Sequence, residues 1–349
     1  MKKLFLFAAL AAMTILPACN EKMDGPAMPR GERVVLDVTI TAPTATKAVG
    51  DVNTDASDND TAGERTVNNL QVFVFNGDIR DGYISANSTS ASVECTSGQR
   101  DIYCIVNGPS SLGSLTTKTA LLAATNELVN NNSSFTMIGS KTAQAIAAGT
   151  NNISVPVNRI ASKIVVKSIT NALKSGGAMT VRRVYITNVA GQINYGLDTY
   201  APADGTWYNK GGYKANGNLG AFTNDINLSA NVAANGNYNT NHYFYAYPNN
   251  YAQADYNPSG WAPKRTMLVV QIEYQGALYD YPIDLGVNLE SNKMYVIQNL
   301  RLENLGNADD GEEGGADEEN PVSGATASVT ITVEDWSVVN LGTNGNIVI

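Results

Sequence analysis

The sequence predicts a mainly β protein: two tandem β-sandwiches, with one or two short helices in the first. Three observations lead there. Apolar residues recur with a period of two in stretch after stretch, the mark of strands buried on one side. Gly and Tyr number 31 and 17 while charged residues make up only 16%, a balance that suits Thr- and Tyr-bearing strands joined by Gly and Asn turns. The length of 349 residues is that of two domains rather than one, with halves at 48–157 and 158–349 and a boundary near 156–159. The net charge of −9 argues against a nucleic-acid partner, which needs a basic patch.

The N-terminus is an address. Lys2 and Lys3 precede an apolar run at 4–16, then Leu16-Pro17-Ala18-Cys19. A basic start, a short apolar core and a small residue before a cysteine describe an export signal of the lipoprotein kind, residues 1–18, with Cys19 as the acylated first residue. Pro17 departs from the usual box. The apolar run is too short to span a membrane, so contact with the membrane is through the lipid.

Residues 20–32 read as a tether. The stretch RVVLDVTITAPTATKA at 33–48 opens as a strand, with Val34, Leu36, Val38 and Ile40 on one face and Val35, Asp37 and Thr39 on the other. Lys47 and Ala48 follow just past it. Residues 49–65 lack periodicity and read as a surface loop open to proteolysis. Asp51, Asn53, Asp55 and Ser57 alternate like a calcium loop, but Ala56 stands where the turn glycine belongs and Ala62 where the bidentate Glu belongs.

Strands are expected at 66–75, in the middle of a sheet, and at 83–94, 100–107, 135–138 and 152–157. Residues 112–130 are the one helical candidate, with Leu115, Leu121, Leu122, Leu128 and Val129 as an apolar stripe. In the second half, strands are expected at 159–169, 181–188, 242–248 and 293–302. A hairpin is expected at 267–285 about Gln275-Gly276, and a closing strand at 327–334. Residues 195–241 read as long loops. The acidic run at 307–320 reads as a disordered loop, its carboxylates lacking linear ligand spacing. Cys95 and Cys104 are not forced to pair, since a turn at Ser97-Gly98 sets Cys95 opposite Arg100.

The order of these segments resembles the fimbrillins of Bacteroidia, the subunits of type V pili. The resemblance rests on Cys19, the opening strand followed by TKA at 46–48, TVNNLQVFVFNG at 66–77 and RDIYCIVN at 100–107. It continues through RIASKIVV at 159–166, FYAYPN at 244–249, LESNKMYVIQNLRLENLG at 289–306 and VTITVEDW at 329–336. It implies transthyretin-like sandwiches and export as an outer-membrane lipoprotein precursor. It further implies that a trypsin-like protease removes an N-terminal propeptide, here 19–47, together with its strand. A neighbour's strand then fills the groove of a cell-surface fimbrium. Lys47 stands where the family's processing residue is usually Arg. Arg30 and Arg33 precede the strand, and a cut at Arg65 threatens the next one.

The segment at about 335–349 is the candidate donor, with Trp336, Val338, Val339, Ile347 and Ile349 as groove fillers; the alternative is that it completes its own half. The partners so implied are identical subunits, with tip, accessory and anchor proteins of the fimbrium and a surface receptor. Two other readings stand beside a pilus shaft subunit: a tip or accessory fimbrial adhesin, and a glycan-binding surface lipoprotein that uses Trp207, Tyr208, Tyr213, Tyr251, Tyr256 and Trp261. An enzyme is not expected. The single histidine, His242, has no metal-ligand neighbour in sequence, there is no G-x-S-x-G, phosphate loop or H-E-x-x-H, and no catalytic residue, cofactor or metal is assigned.

Overall fold

The computed structural model describes residues 31–41, 64, 66–132, 134–197, 205–285 and 288–336. Cys19, Lys47, Ala48, Val338, Val339, Ile347 and Ile349 lie outside the described residues, as do Arg30, Arg65 and the calcium-like run at 51–62.

The first half contains β1 (Arg33–Thr41), β2 (Leu70–Asn76), β3 (Ile79–Ala86), β4 (Ser90–Thr96), β5 (Gly98–Val106), β6 (Met137–Ile146) and β7 (Asn151–Pro156). One sheet has the order β4-β1-β7. The other has the order β3-β2-β5-β6 and ends on the short ladder Asn158–Arg159. They face each other across a core that takes Leu36 and Val38 from β1 and Leu70, Val72 and Val74 from β2. The sheets close on each other at both sides through glycines. A Cβ on Gly82 of β3 would lie 2.3 Å from the Glu94 carbonyl oxygen of β4, and one on Gly139 of β6 would lie 2.0 Å from that of Pro156 of β7. β1 is therefore the middle of its sheet, not an edge.

β2 is apolar on both faces because both faces are covered. Leu70, Val72 and Val74 face β1, while Phe73 and Phe75 join a second, larger core that runs through the other half of the chain. The helical candidate at 112–130 is shorter than its stripe suggests. It yields α1 (Lys118–Ala123), whose N-cap Thr117 accepts from the Ala120 amide at 3.1 Å, flanked by 3-10 turns at Ser110–Ser114 and Leu128–Asn131. Leu121 and Leu128 are buried, but Val129 faces solvent. The strand expected at 83–94 is two strands, β3 and β4, joined by a turn at 87–89.

The second half contains β8 (Ser162–Val166), β9 (Ile169–Asn171), β10 (Met179–Thr187), β11 (His242–Ala246), β12 (Met267–Tyr274), β13 (Ala277–Asp284), β14 (Lys293–Leu302) and β15 (Ala327–Asp335). β14 takes β8 and then β9 along one edge, both parallel, and β15 antiparallel along the other. β10, β12 and β13 form an antiparallel sheet. The expected hairpin turn forms between β12 and β13, with positive φ at Gln275 (53°) and Gly276 (85°), the geometry whose twist matches antiparallel strands. Among the described residues, two ladders cross the expected boundary: Met137–Ile138 with Asn158–Arg159, and Thr125–Glu127 with Gln192–Asn194.

The acidic run at 307–320 departs from expectation. Asn307–Ala308 pairs with β13, and α2 (Ala316–Glu319) packs beside that strand with Asp317, Glu318 and Glu319 all buried. Composition suggested a solvated loop, but partners elsewhere in the chain hold the Glu318 and Glu319 carboxylates. Glu318 accepts from the Tyr185 hydroxyl at 2.5 Å and the Tyr213 amide at 2.7 Å, and Glu319 pairs with the buried Lys264 ammonium at 2.5 Å.

Candidate functional site

The strand β1 and its seat form the candidate site. Val34, Leu36, Val38 and Ile40 are 0–6% exposed, while Val35 and Thr39 point outward and Asp37 is half-buried, as the period of two requires. The backbone of β1 is paired on both sides. It runs antiparallel to β4 from Arg33↔Thr96 to Thr39↔Ser90, and parallel to β7 from Leu36↔Asn151 to Thr41↔Pro156. Further backbone bonds fasten both ends: Ser97 N–H to Glu32 O at 2.9 Å, Ile40 N–H to Thr89 O at 2.9 Å and Val157 N–H to Thr41 O at 3.1 Å. On the outer face, the Ser92 hydroxyl donates to Asp37 Oδ1 at 2.5 Å. Arg33 begins the strand, paired with Thr96, rather than preceding it.

The floor of the seat is apolar and holds two free cysteines, Cys95 on β4 and Cys104 on β5, both buried. Burial, with Asp81 adding to it, pushes the Cys95 thiol up to about 11, and burial pushes Cys104 up to about 12. Taking β1 away would uncover this floor and leave β4 and β7 each with an unpaired edge. The four inward side chains of β1 are worth about 1.5–3 kcal/mol each in burial, and each buried backbone group left unpaired costs about 1–3 kcal/mol.

The segment that follows 42–63 is anchored at Glu64. Its carboxylate accepts from Lys163 Nζ at 3.0 Å, the Tyr245 hydroxyl at 2.6 Å and the Trp336 indole N–H at 2.9 Å, and its carbonyl accepts from Arg159 Nε at 2.8 Å. Glu64, Lys163 and Trp336 are buried to 1% exposure or less. No linear motif marks this hub, because its members come from four separate stretches.

Trp336 bears on the donor expectation. It is packed inside its own subunit, edge-on to Phe135 with ring centres 5.2 Å apart, stacked on Tyr245 at 5.7 Å, and with the Arg159 guanidinium 4.6 Å above its ring. It therefore completes the fold it belongs to and is not a free groove filler. The remaining candidates, Val338, Val339, Ile347 and Ile349, lie outside the described residues. The aromatic loop residues also pack on one another: Trp207 meets Tyr251 and Trp261 edge-on at 5.6 and 5.5 Å. His242 is buried, with Nδ1 2.7 Å from Asp225 Oδ2.

A family model described as major fimbrial subunit protein (FimA) matches residues 36–257, from within β1 into the second half. The chain belongs to the FimA major fimbrial subunit family. This fimbrial subunit is similar in fold to several solved structures. A candidate cell adhesion protein from Bacteroides eggerthii is 18% identical, with 90% of this chain and 99% of that chain covered at a TM-score of 0.56. Another from Parabacteroides distasonis is 17% identical, with 89% and 99% covered at 0.58. A fimbrilin (FimA) from Porphyromonas gingivalis is 16% identical, with 88% and 98% covered at 0.56. No match is found among curated proteins. Family membership makes this chain a subunit of a cell-surface fimbrium, alongside other fimbrial subunits.

Proposed function

We propose that this fimbrial subunit builds the shaft of a pilus by strand exchange, with β1 as a removable plug. The observation that carries this reading is the position of β1. It is the middle strand of its sheet, bonded on both sides and buried on one face, and its covalent link to the Glu64 hub is the stretch 42–63. A middle strand severed from its own domain leaves a seat for another chain's strand.

The precursor is exported on the signal at 1–18, lipidated at Cys19 and carried to the outer membrane. A trypsin-like protease cuts between Lys47 and Ala48 and frees 19–47. The Glu64 hub supports this choice over Arg65, because a cut at Arg65 would detach Glu64 from everything that follows it and leave Lys163 buried without its partner. The two halves, 48–157 and 158–349, act as sandwich domains held together by the larger core. The donor is the segment after Trp336, residues 337–349, which enters the vacated seat of the next identical subunit and pairs with β4 and β7. β-Strand addition gives affinity through main-chain bonds and register through alternate side-chain pockets. A head-to-tail contact that does not close on itself grows a filament that supports adhesion.

The test is limited trypsin digestion of the purified, lipid-free precursor, followed by intact mass, gel migration and electron microscopy. Loss of the segment ending at Lys47, with an SDS-resistant ladder or filaments, is the expected result. A cut protein that remains a folded monomer would overturn the shaft reading and favour a tip or accessory role.

A further inference from the structure

The second half gathers three carboxylates that linear spacing does not reveal. Asp280 lies on β13 with no exposed surface. Asp309 follows the short strand laid along β13, where Asn307 pairs with Asp280 itself. Asp317 is the second residue of α2. One oxygen from each lies within 4.8 Å of the others.

The local hydrogen bonds do not neutralise this charge. Asp309 accepts from Gln271 Nε2 at 3.0 Å and from the Gly311 amide at 2.7 Å, and Asp317 accepts from the Asp310 amide at 3.1 Å. Both oxygens of Asp280 and Oδ1 of Asp317 are buried with no hydrogen-bond partner. No Lys or Arg among the described residues pairs with any of the three. A buried carboxylate with neither donor nor cation is among the costliest groups a protein can hold. Here one sits fully buried and aimed at two others.

We infer that Asp280, Asp309 and Asp317 bind a divalent cation, calcium above all, which fastens the acidic loop to β13. All the donors are hard oxygens, the ligand type of calcium and magnesium. Calcium accepts several carboxylates in a flexible shell, whereas magnesium keeps several of its waters and takes one or two carboxylates, so three carboxylates gathered within 4.8 Å of one another suit calcium. The cation links three points of the chain, and Glu318 and Glu319 then hold α2 against Tyr185 and Lys264. The inference is independent of strand exchange.

Thermal melting of the full chain after EDTA treatment and dialysis tests it, with calcium chloride or magnesium chloride added back. Calcium should raise Tm by several degrees with saturation below or near millimolar concentration, and magnesium by less. Asp280→Asn and Asp317→Asn should abolish the calcium-dependent rise, while the exposed Glu312→Gln keeps it. Calcium leaving Tm unchanged, with Asp280→Asn raising it in EDTA by relief of repulsion alone, would overturn the site. If the Asp variants do not fold, calorimetric titration of the wild-type chain with calcium decides. One ion bound per chain at sub-millimolar affinity supports the site, and no binding overturns it.

Discussion

The indole N–H of Trp336 donates to Glu64 Oε2 at 2.9 Å, in a site where both side chains are buried. Glu64 is the first described residue after the proposed processing segment, and Trp336 is the last before the proposed donor. The two stretches that the proposed strand exchange would move thus adjoin one fixed point. In the proposed exchange β1 leaves and the tail serves as donor, while Lys163, Tyr245, Arg159 and Trp336 keep Glu64 in place.

This hub should be costly to break. Removing one partner of a buried ion pair strands the other charge, at about 3–5 kcal/mol. Glu64→Ala should lower the stability of the precursor by that order in urea unfolding, and Trp336→Ala by about 3–5 kcal/mol through cavity formation and lost packing. Because the two side chains are bonded, the double variant should lose less than the sum. Strict additivity would show that they do not act together.

β1 should matter to the precursor and not to the processed subunit. Leu36 has no exposed surface, so Leu36→Ala should destabilise the uncut protein by about 2–5 kcal/mol. Once the segment through Lys47 is gone, the same variant should form filaments that melt as wild type does. A difference that persists after cleavage would mean that β1 stays in place.

The cysteines report on the seat. Thiolates rather than thiols react, and burial holds Cys95 and Cys104 far above neutral pH. In the Cys19→Ser precursor, neither should react appreciably with iodoacetamide at pH 8. Cys95 pairs with Val34 of β1, so it should become reactive on cleavage and be protected again as filaments form. Equal labelling before and after cleavage would count against an opened groove.

Burial lowers the pKa of His242 below its ordinary value, against the opposing pull of Asp225. The folded state therefore prefers the neutral ring. This contribution to stability is complete above the unfolded value of 6.5 and is lost as pH falls through the depressed folded value. The chain has one histidine, so its ring-proton NMR signal is unambiguous. It should titrate below 6.5, and the urea midpoint should fall on acidification from pH 7 to pH 5 in a way that His242→Gln reduces. A signal titrating at or above 6.5 would contradict this.

What was legible in the sequence follows from how local each signal is. β1 could be read because one sheet face needs only alternation, and Val34, Leu36, Val38 and Ile40 supply it. The middle position of β2 could be read because both of its faces are apolar. The Gln275-Gly276 turn was legible because two residues at positive φ leave a local signature. The Glu64 hub was not legible, since Lys163, Tyr245 and Trp336 come from distant stretches and each looks like an ordinary strand residue. Nor was the order in 307–320, because the strand it pairs with and the tyrosine and lysine that hold Glu318 and Glu319 lie elsewhere in the chain. Trp336 resembled a groove filler because an apolar residue near a terminus looks the same whether it fills its own core or a neighbour's.

The most direct test of the plug is to stop it leaving. Asp37 and Ser92 face each other across β1 and β4 with their side chains in contact, so the double variant Asp37→Cys and Ser92→Cys should bridge readily. After oxidation, verified by mass, trypsin should still cut after Lys47, but β1 should stay seated and no filaments should form until a reductant is added. Filaments growing from the oxidised, cut protein as fast as from wild type would contradict strand exchange at this groove.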